Sequence, residues 1–267
     1  MSTTDPDDPI PQPLKEALAA IATTPRLLVA LDFDGTLAPE VDDPEKARAL
    51  PESRAAVERL LKLPATRVAL VSGRSLADLE RVSRFGREVL LVGSHGIELR
   101  LDDPDDVIEL SAREQASMAV LAEVLEQVAD TLDAVWVEEK PAGYALHTRL
   151  ATDRRSRVAH LVALSEAQAE VDDLKVRLGK HVIEFSVRST TKGEAVEHLR
   201  RSTRATAVFY AGDDVTDEDA FAALGDGDLA LKSGAGETAA AHRVGDPGAV
   251  AAVLALLADL RERHAAH

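Results

Sequence analysis

Two groups of acidic residues follow apolar runs of the kind that form buried strands. Asp32 and Asp34 come after the run LLVAL, and Asp213 and Asp214 come after TAVFYAG. In an open parallel sheet, chemistry collects at the carboxyl ends of the strands. Adjacent carboxylates after a buried strand repel each other unless a cation lies between them. Oxygen ligands and the absence of cysteine favour Mg²⁺, so a magnesium site between Asp32 and Asp213 is predicted.

Each acidic group also has a purely structural interpretation. Asp-Gly is a common turn dipeptide, and DFDGT can be read as a polar turn. Acidic residues are frequent at helix amino termini, which accounts for Asp217 and the acids that follow it. That alternative leaves the adjacent pair Asp213 and Asp214 unexplained.

Two further segments carry groups that bind phosphate. The run LVSGR ends in Ser72 and Gly73, which offer a hydroxyl and an unobstructed backbone N–H. Lys192 begins the predicted helix of TTKGEAV, where the helix dipole disfavours a cation, and this suggests a negative ligand nearby. A helix cap for Ser72 and a solvated position for Lys192 are the alternatives.

The pattern along the chain predicts how these residues are positioned. Apolar runs alternate with helical patterns before residue 104 and again after residue 190, which predicts an α/β fold with a parallel sheet covered on both faces. Between them, period-two alternation predicts antiparallel strands with helices at 111–131 and 152–171. The predicted organisation is a disordered leader (1–20), a core domain (21–103 and 189–267) and an inserted α/β domain (104–188).

Composition excludes several classes of protein. The 267 residues carry a formal net charge of −16, which argues against general binding to nucleic acid or membrane surfaces. The amino terminus, MSTTDPDDPIPQP, has no features of a signal peptide, and the longest apolar run is too short to span a bilayer. A cytoplasmic location is therefore expected.

The motifs D-x-D-G-T, S-G-R, K-G and G-D-D-x-T-D-E occur here in that order. They resemble the four signature motifs of the haloacid dehalogenase (HAD) superfamily. G-D-D-x-T-D-E, VGSHGIELR and VEEKPAGYALHTR are similar to segments of trehalose-6-phosphate phosphatases. The resemblance implies a Rossmann-like HAD core with an inserted C2-type α+β cap domain. It also implies Mg²⁺-dependent hydrolysis of trehalose 6-phosphate through an aspartyl-phosphate, in trehalose biosynthesis.

The resemblance implies a role for each motif position. Asp32 would be the nucleophile, Asp34 the general acid and base, and Lys192 a catalytic cation. Ser72, the Gly73 N–H and Lys192 would hold phosphoryl oxygens. The implied magnesium site consists of Asp32, Asp34 through its backbone carbonyl, Asp213 and Asp214, with Asp214 and Asp217 positioning metal-bound water or the loop.

The inserted strands predict a sheet with one apolar and one polar face, which is also the ordinary condition of a half-exposed sheet. By resemblance, the polar face would contact sugar hydroxyls. The implied substrate contacts are Glu138, Lys140, His147 and Glu184, with Arg74 and His95 from the core. A structural hydrogen bond is the alternative role for His147. The segment EFSVRSTTKG departs from the family pattern E-x-R-P-x-G-x-x-K-G, although Glu184 keeps its spacing to Lys192, so no role is carried over to Arg188.

Three other functions stay open at this stage. The chain could hydrolyse another sugar phosphate, such as sucrose 6-phosphate or a mannosyl product. It could be a phosphomutase, or a sugar-phosphate-binding module without catalysis. The expected partner is a small-molecule sugar phosphate. The sequence is compatible with a monomer and leaves open whether a synthase binds the protein.

Overall fold

The computed structural model describes residues 10–103, 110–179 and 181–265. The helices of this part are α1 (Gln12–Ile21), α2 (Pro51–Leu60), α3 (Leu76–Ser83), α4 (Ala112–Thr131), α5 (Asp153–Glu170), α6 (Lys192–Thr203), α7 (Asp217–Ala223) and α8 (Pro247–Ala265). Its strands are β1 (Leu27–Leu31), β2 (Thr66–Val71), β3 (Leu90–Gly93), β4 (Glu98–Arg100), β5 (Trp136–Lys140), β6 (Gly143–His147), β7 (Lys175–Gly179), β8 (Val182–Ser186), β9 (Ala207–Gly212), β10 (Leu229–Ser233) and β11 (His242–Val244).

The chain divides into two units. Met1–Val107 and Thr190–His267 form the first, and Ile108–Ser189 form the second. The predicted insertion at 104–188 begins within residues 104–109, which lie outside the described residues. The assignment of these units as core and cap domains stays a prediction from the sequence.

The first unit is built on a sheet in the order β11-β10-β9-β1-β2-β3-β4. All of its neighbouring strands are parallel except β3 and β4. Because successive side chains of a strand point to opposite faces, the wholly apolar β1 has to be covered on both sides. Leu27, Val29 and Leu31 pack with α1, α2 and α8, while Leu28 and Ala30 pack with α6 and α7. The predicted α/β class with a parallel sheet is confirmed.

The amino-terminal segment corrects one prediction. Residues 1–20 were expected to be a disordered leader, but Gln12–Ile21 form α1, which starts after Pro11. Leu14, Leu18 and Ile21 recur at helical spacing and are buried in the core, so their burial stabilises a helix that the acidic and proline-rich composition did not suggest. The rest of that prediction, residues 1–9, lies outside the described residues.

The second unit contains an antiparallel sheet in the order β5-β6-β8-β7. Its apolar face packs against α4 and α5 through residues that include Leu125, Ala163 and Phe185. Ser111 and Glu114 form a capping box that starts α4, and Thr152 caps α5. The helices predicted at 111–131 and 152–171 are confirmed to within one residue at each end.

In the portion of the chain that the structure describes, every helix is too short or too polar to cross a membrane.

Candidate active site

Strands β1, β2 and β9 end side by side at one edge of the sheet. In the parallel register, Leu31 lies opposite Ala211 on one side and Leu70 on the other. The segments that follow these strands, which contain Asp32, Ser72 and Asp213, therefore leave the sheet together. Carboxylate oxygens of Asp32, Asp213 and Asp217 lie within 4.8 Å of one another. The structure thus brings together two acidic groups that are 181 residues apart along the chain.

Lys192 lies within this carboxylate cluster. Its side chain is only 2% exposed, and Nζ lies 2.9 Å from Asp32 Oδ2 and 2.8 Å from Asp217 Oδ1. Burial disfavours the lysine cation, but the charges of Asp32 and Asp217 outweigh burial and raise the pKa of Lys192 above its ordinary value. Thr191 and Glu194 form the capping box that places Lys192 at the first position of α6. Lys192 is therefore a buried cation rather than a solvated surface residue.

The pKa values of Asp32 and Asp213 are raised, because both carboxyl groups lie in a buried cluster of acidic residues. Burial, opposed by Lys192, raises the pKa of Asp32 well above the range of an exposed carboxyl group. Burial also raises the pKa of Asp213 to about 6, and the neighbouring Asp217 carboxylate adds to this shift. One lysine does not balance three carboxylates, so the cluster is electrostatically suited to a further cation.

Asp217 is fully buried and organises the loop that carries Asp213. One of its oxygens accepts hydrogen bonds from Lys192 Nζ and, at 2.7 Å, from the Tyr210 hydroxyl. The other accepts from the backbone N–H groups of Asp213 and Asp214, both at 3.0 Å. Four hydrogen bonds thus occupy Asp217, which matches the loop-positioning role predicted for it. Tyr210 was missed because it lies inside an apolar strand.

The predicted part of Asp214 in the magnesium site stays a prediction. Its side chain is exposed, and it does not belong to the carboxylate cluster that the described residues form. Asp214 is one residue further along the loop than Asp213, and its backbone N–H donates to Asp217.

Asp34 and Arg74 form an ion pair. Arg74 Nε donates to Asp34 Oδ2 at 2.5 Å, and a second guanidinium nitrogen donates to Asp34 Oδ1 at 2.6 Å. Such a bidentate pair fixes the orientation of both side chains. The sequence predicted Asp34 as an acid and base and Arg74 as a substrate contact, and the pairing of the two was not predicted.

Ser72, Gly73 and His95 are neighbours. His95 N–H donates to the Ser72 carbonyl at 3.0 Å, and the Ser94 N–H donates to the Arg74 carbonyl at 2.7 Å. A Cβ atom on residue 73 would lie 2.6 Å from the His95 imidazole, so a larger residue there would displace this ring. The structure therefore places His95 directly beside the predicted phosphate-binding segment.

Within the second unit, the polar face of the sheet holds the predicted sugar contacts. Glu138 accepts a hydrogen bond from Lys140 at 2.5 Å, and its other oxygen lies 2.7 Å from His147 Nε2. The hydrogen bond from Lys140 is the main cause that lowers the pKa of Glu138. Trp136 stacks on His147 with ring centroids 5.0 Å apart. Glu138 and Glu184 both lie opposite Ala145 in the strand register, so they share this face.

The carboxylate cluster fits a hard divalent cation. Asp32 and Asp213 offer only oxygen ligands, which suit Mg²⁺. Gly35 keeps a space for the Asp213 side chain, since a Cβ atom there would lie 2.0 Å from Asp213 Oδ2. Gly35 also has φ +69°, a conformation that glycine adopts without strain. The backbone is thus shaped to bring Asp213 close to the segment after β1.

Comparisons with known proteins show the family to which this chain belongs. The family model described as trehalose-phosphatase matches residues 30–247. The trehalose-phosphate phosphatase of Mycobacterium ulcerans is 37% identical over 234 residues, which cover 82% of this chain and 58% of the relative. The one from Mycolicibacterium paratuberculosis is 41% identical over 207 residues, covering 73% of this chain and 51% of the relative. This chain therefore spans a little more than half the length of these relatives.

Solved structures show the same fold. Aspergillus fumigatus trehalose-6-phosphate phosphatase aligns with a TM-score of 0.60 and 24% identity, covering 92% of this chain and 97% of that chain. A haloacid dehalogenase-like hydrolase from B. subtilis aligns with a TM-score of 0.52 and 15% identity over 85% of this chain and 98% of that chain. The fold is accordingly that of the HAD-like hydrolases.

Proposed function

Because this chain belongs to the trehalose-phosphatase family, we propose that it is a phosphatase that hydrolyses trehalose 6-phosphate to trehalose and phosphate. The observation that carries this proposal is the family match over residues 30–247, which includes every segment that contributes to the buried carboxylate cluster. The names of the curated relatives support the same substrate. The cytoplasmic location stays a prediction.

In the proposed reaction, a carboxylate oxygen of Asp32 attacks the substrate phosphorus. A bond between Asp32 and phosphorus forms while the bond from phosphorus to the sugar oxygen breaks, which gives an aspartyl-phosphate. At this step Asp34 has to be protonated, so its ion pair with Arg74 opens first, and Asp34 then gives its proton to the departing sugar oxygen. Water then attacks the phosphorus of the aspartyl-phosphate, Asp34 takes up a proton from that water, and phosphate leaves with Asp32 restored.

Negative charge on the transferred group has to be stabilised in this buried place. We propose that Lys192, the Ser72 hydroxyl and the Gly73 N–H donate to the phosphoryl oxygens. Asp32, Asp213 and the backbone carbonyl of Asp34 would hold Mg²⁺, which when bound supplies positive charge that reduces the repulsion between Asp32 and the phosphate. The oxygen-only ligands and the excess of buried carboxylates support this use of magnesium.

The sugar is proposed to bind the polar face formed by Glu138, Lys140, His147 and Glu184. Sugar hydroxyls need paired hydrogen-bond donors and acceptors, and a site that provides them discriminates against molecules that lack a hydroxyl. The hydrogen bonds of Glu138 to Lys140 and His147 hold donors and acceptors in fixed positions before any ligand arrives. Arg74 and His95 stay candidates for contacts from the first unit.

The proposal is tested by a phosphate-release screen of the purified protein with and without Mg²⁺. Trehalose 6-phosphate is expected to turn over fastest, and only with the metal. Faster turnover of sucrose 6-phosphate or a mannosyl phosphate would reassign the substrate. An isomerised product on addition of a sugar bisphosphate would indicate a phosphomutase. Binding of sugar phosphate without any phosphate release would indicate a non-catalytic module.

The Asp213→Asn variant is expected to need more magnesium. Because one charged ligand becomes neutral, the Mg²⁺ concentration for half-maximal phosphate release should rise by about tenfold or more. An Asp226→Asn variant, which changes an exposed carboxylate on another loop of the first unit, is the matched control and should keep the original requirement. An unchanged magnesium requirement in Asp213→Asn would count against a ligand role for Asp213.

Gly35→Ala is expected to abolish most phosphate release by displacing Asp213. The new Cβ atom would lie 2.0 Å from Asp213 Oδ2, so the carboxylate has to move. Gly227→Ala is the control, since Gly227 also has positive φ, +87°, but a Cβ atom added to it would have no neighbour within 4 Å. Both variants should lose about 1 kcal/mol of stability through backbone strain. Equal activity of the two variants would show that the approach of Asp213 to Gly35 is unimportant.

A further inference from the structure

The carboxyl end of β10 contacts the two loops that carry the carboxylate cluster. Lys232, which pairs with Gly212 in the strand register, donates from Nζ to the Asp213 carbonyl at 2.5 Å and to the Asp214 carbonyl at 3.4 Å. The next residue, Ser233, donates from its hydroxyl to the Gly35 carbonyl at 2.8 Å. Two consecutive residues thus hold the loop after β9 and the loop after β1.

Lys232 is an unusual residue for its location. It is 4% exposed, and burying an ammonium group is costly unless it is paired and hydrogen-bonded. Its carboxylate neighbour is Glu218, at 3.5 Å, and its shortest contact is the carbonyl of Asp213. Two successive carbonyls that converge on one point need a donor with several N–H groups, which an ammonium provides. An apolar residue at this position would leave those carbonyls without this donor.

Ser233 holds the other loop at Gly35, beside the Asp213 carboxylate. It is 1% exposed, and its acceptor belongs to Gly35, the residue over which the Asp213 carboxylate lies. A hydrogen bond from Thr36 to Asp213, at 3.4 Å, is a direct but weak link between the loops. Each loop is therefore fixed to β10 by a hydrogen bond shorter than this link, at 2.5 Å for the loop after β9 and 2.8 Å for the loop after β1.

From these contacts we propose that Lys232 and Ser233 are positioning residues that set the separation of the Asp32 and Asp213 carboxylates for a divalent cation. The inference rests on the magnesium site of the proposed function. Neither residue touches the reacting atoms, so both act through the loops that they hold. Partners that orient metal ligands commonly change metal affinity by about 10- to 100-fold when removed.

The direction in which metal affinity changes when Lys232 is removed distinguishes a positioning role from a purely electrostatic one. A lysine cation close to the carboxylate cluster repels a divalent cation, so its removal would tighten metal binding if charge alone mattered. If Lys232 instead holds Asp213 in place, its removal weakens metal binding. Lys232→Met tests this directly, because methionine has a similar length and is tolerated in cores, but has no N–H donors.

Arg261 offers a matched control at the opposite edge of the sheet. It is also a 4% exposed cation that donates to backbone carbonyls, those of Ala22, Thr24 and Ala65, at 2.8 to 3.0 Å. Arg261→Met should therefore lower thermal stability by a similar mechanism. It should leave metal affinity unchanged, since its partners lie at the amino ends of the strands.

The experiment is calorimetric titration of Mg²⁺ into the substrate-free protein, with circular dichroism to verify folding. Lys232→Met is expected to weaken Mg²⁺ binding by about 10- to 100-fold, and Ser233→Ala to weaken it in the same direction, while Arg261→Met binds like the original protein. A folded Lys232→Met that binds Mg²⁺ equally or more tightly would overturn the inference. If Lys232→Met does not fold, Ser233→Ala decides the question, and unchanged affinity in that variant overturns the inference.

Failure of the inference can be told apart from failure of the proposed function. If the original protein binds no Mg²⁺, both the proposed magnesium site and the inference are wrong. The original protein could bind Mg²⁺, and Lys232→Met bind it more weakly, while neither hydrolyses trehalose 6-phosphate. In that case only the proposed substrate is wrong. If the original protein hydrolyses trehalose 6-phosphate and both β10 variants keep the original affinity for Mg²⁺, only the inference is wrong.

Discussion

An Asp32→Asn variant is expected to release phosphate from trehalose 6-phosphate at least about 10⁴-fold more slowly than the original protein. An amide oxygen is a poor nucleophile, and the oxygens of the neighbouring Asp217 are already occupied by four hydrogen bonds. Single-turnover assays with saturating enzyme measure the chemical step directly. They also show whether any aspartyl-phosphate forms.

The fold should survive this substitution, which makes the result interpretable. Lys192 keeps its ion pair with Asp217, and burial already disfavours the charged form of Asp32, as its raised pKa shows. A neutral amide is therefore tolerated there. Asp42→Asn, at an exposed position after β1, is the control and should keep full activity. Appreciable turnover by folded Asp32→Asn would end the assignment of Asp32 as nucleophile.

The convergence of Asp32 and Asp213 could be predicted because it depends on strand order and direction. An apolar run such as LLVAL has to be buried on both faces, and βαβ connections make such strands parallel. The ends of parallel strands then meet at one edge, where the structure places both residues. The helices of the second unit were predictable from local sequence, since Ser111 and Thr152 are strong amino-terminal caps.

Other features depend on contacts that no local pattern reports. The Arg74 and Asp34 pair joins residues 40 positions apart, and Lys232 and Ser233 act on loops that precede them by 18 to 198 residues. Composition misled the prediction for the amino terminus, since the apolar spacing that forms α1 follows a run rich in proline and aspartate. The two three-residue strands, β4 and β11, are too short to show the alternation of apolar and polar residues from which a strand is predicted.

A Lys192→Met variant is expected to lose both stability and activity. It would leave the carboxylates of Asp32 and Asp217 buried without their counter-ion, and breaking a buried ion pair in this way costs about 3–5 kcal/mol. Both carboxylates are almost inaccessible to solvent, with 8% and 0% of their side chains exposed, so water cannot replace the lysine. Urea unfolding in the absence of divalent cations measures the loss.

A second lysine separates this effect from the loss of an ordinary ion pair. Lys46 pairs with Asp43 on the surface, where the lysine side chain is 78% exposed, and such pairs contribute about 0–1 kcal/mol. Lys46→Met should therefore change unfolding only slightly and leave phosphate release intact. If Lys192→Met unfolds at the same urea concentration as Lys46→Met, the buried carboxylates do not depend on Lys192. The carboxyl groups would then have to be protonated in the folded protein, and Asp32 would lack the charge that its attack on phosphorus requires.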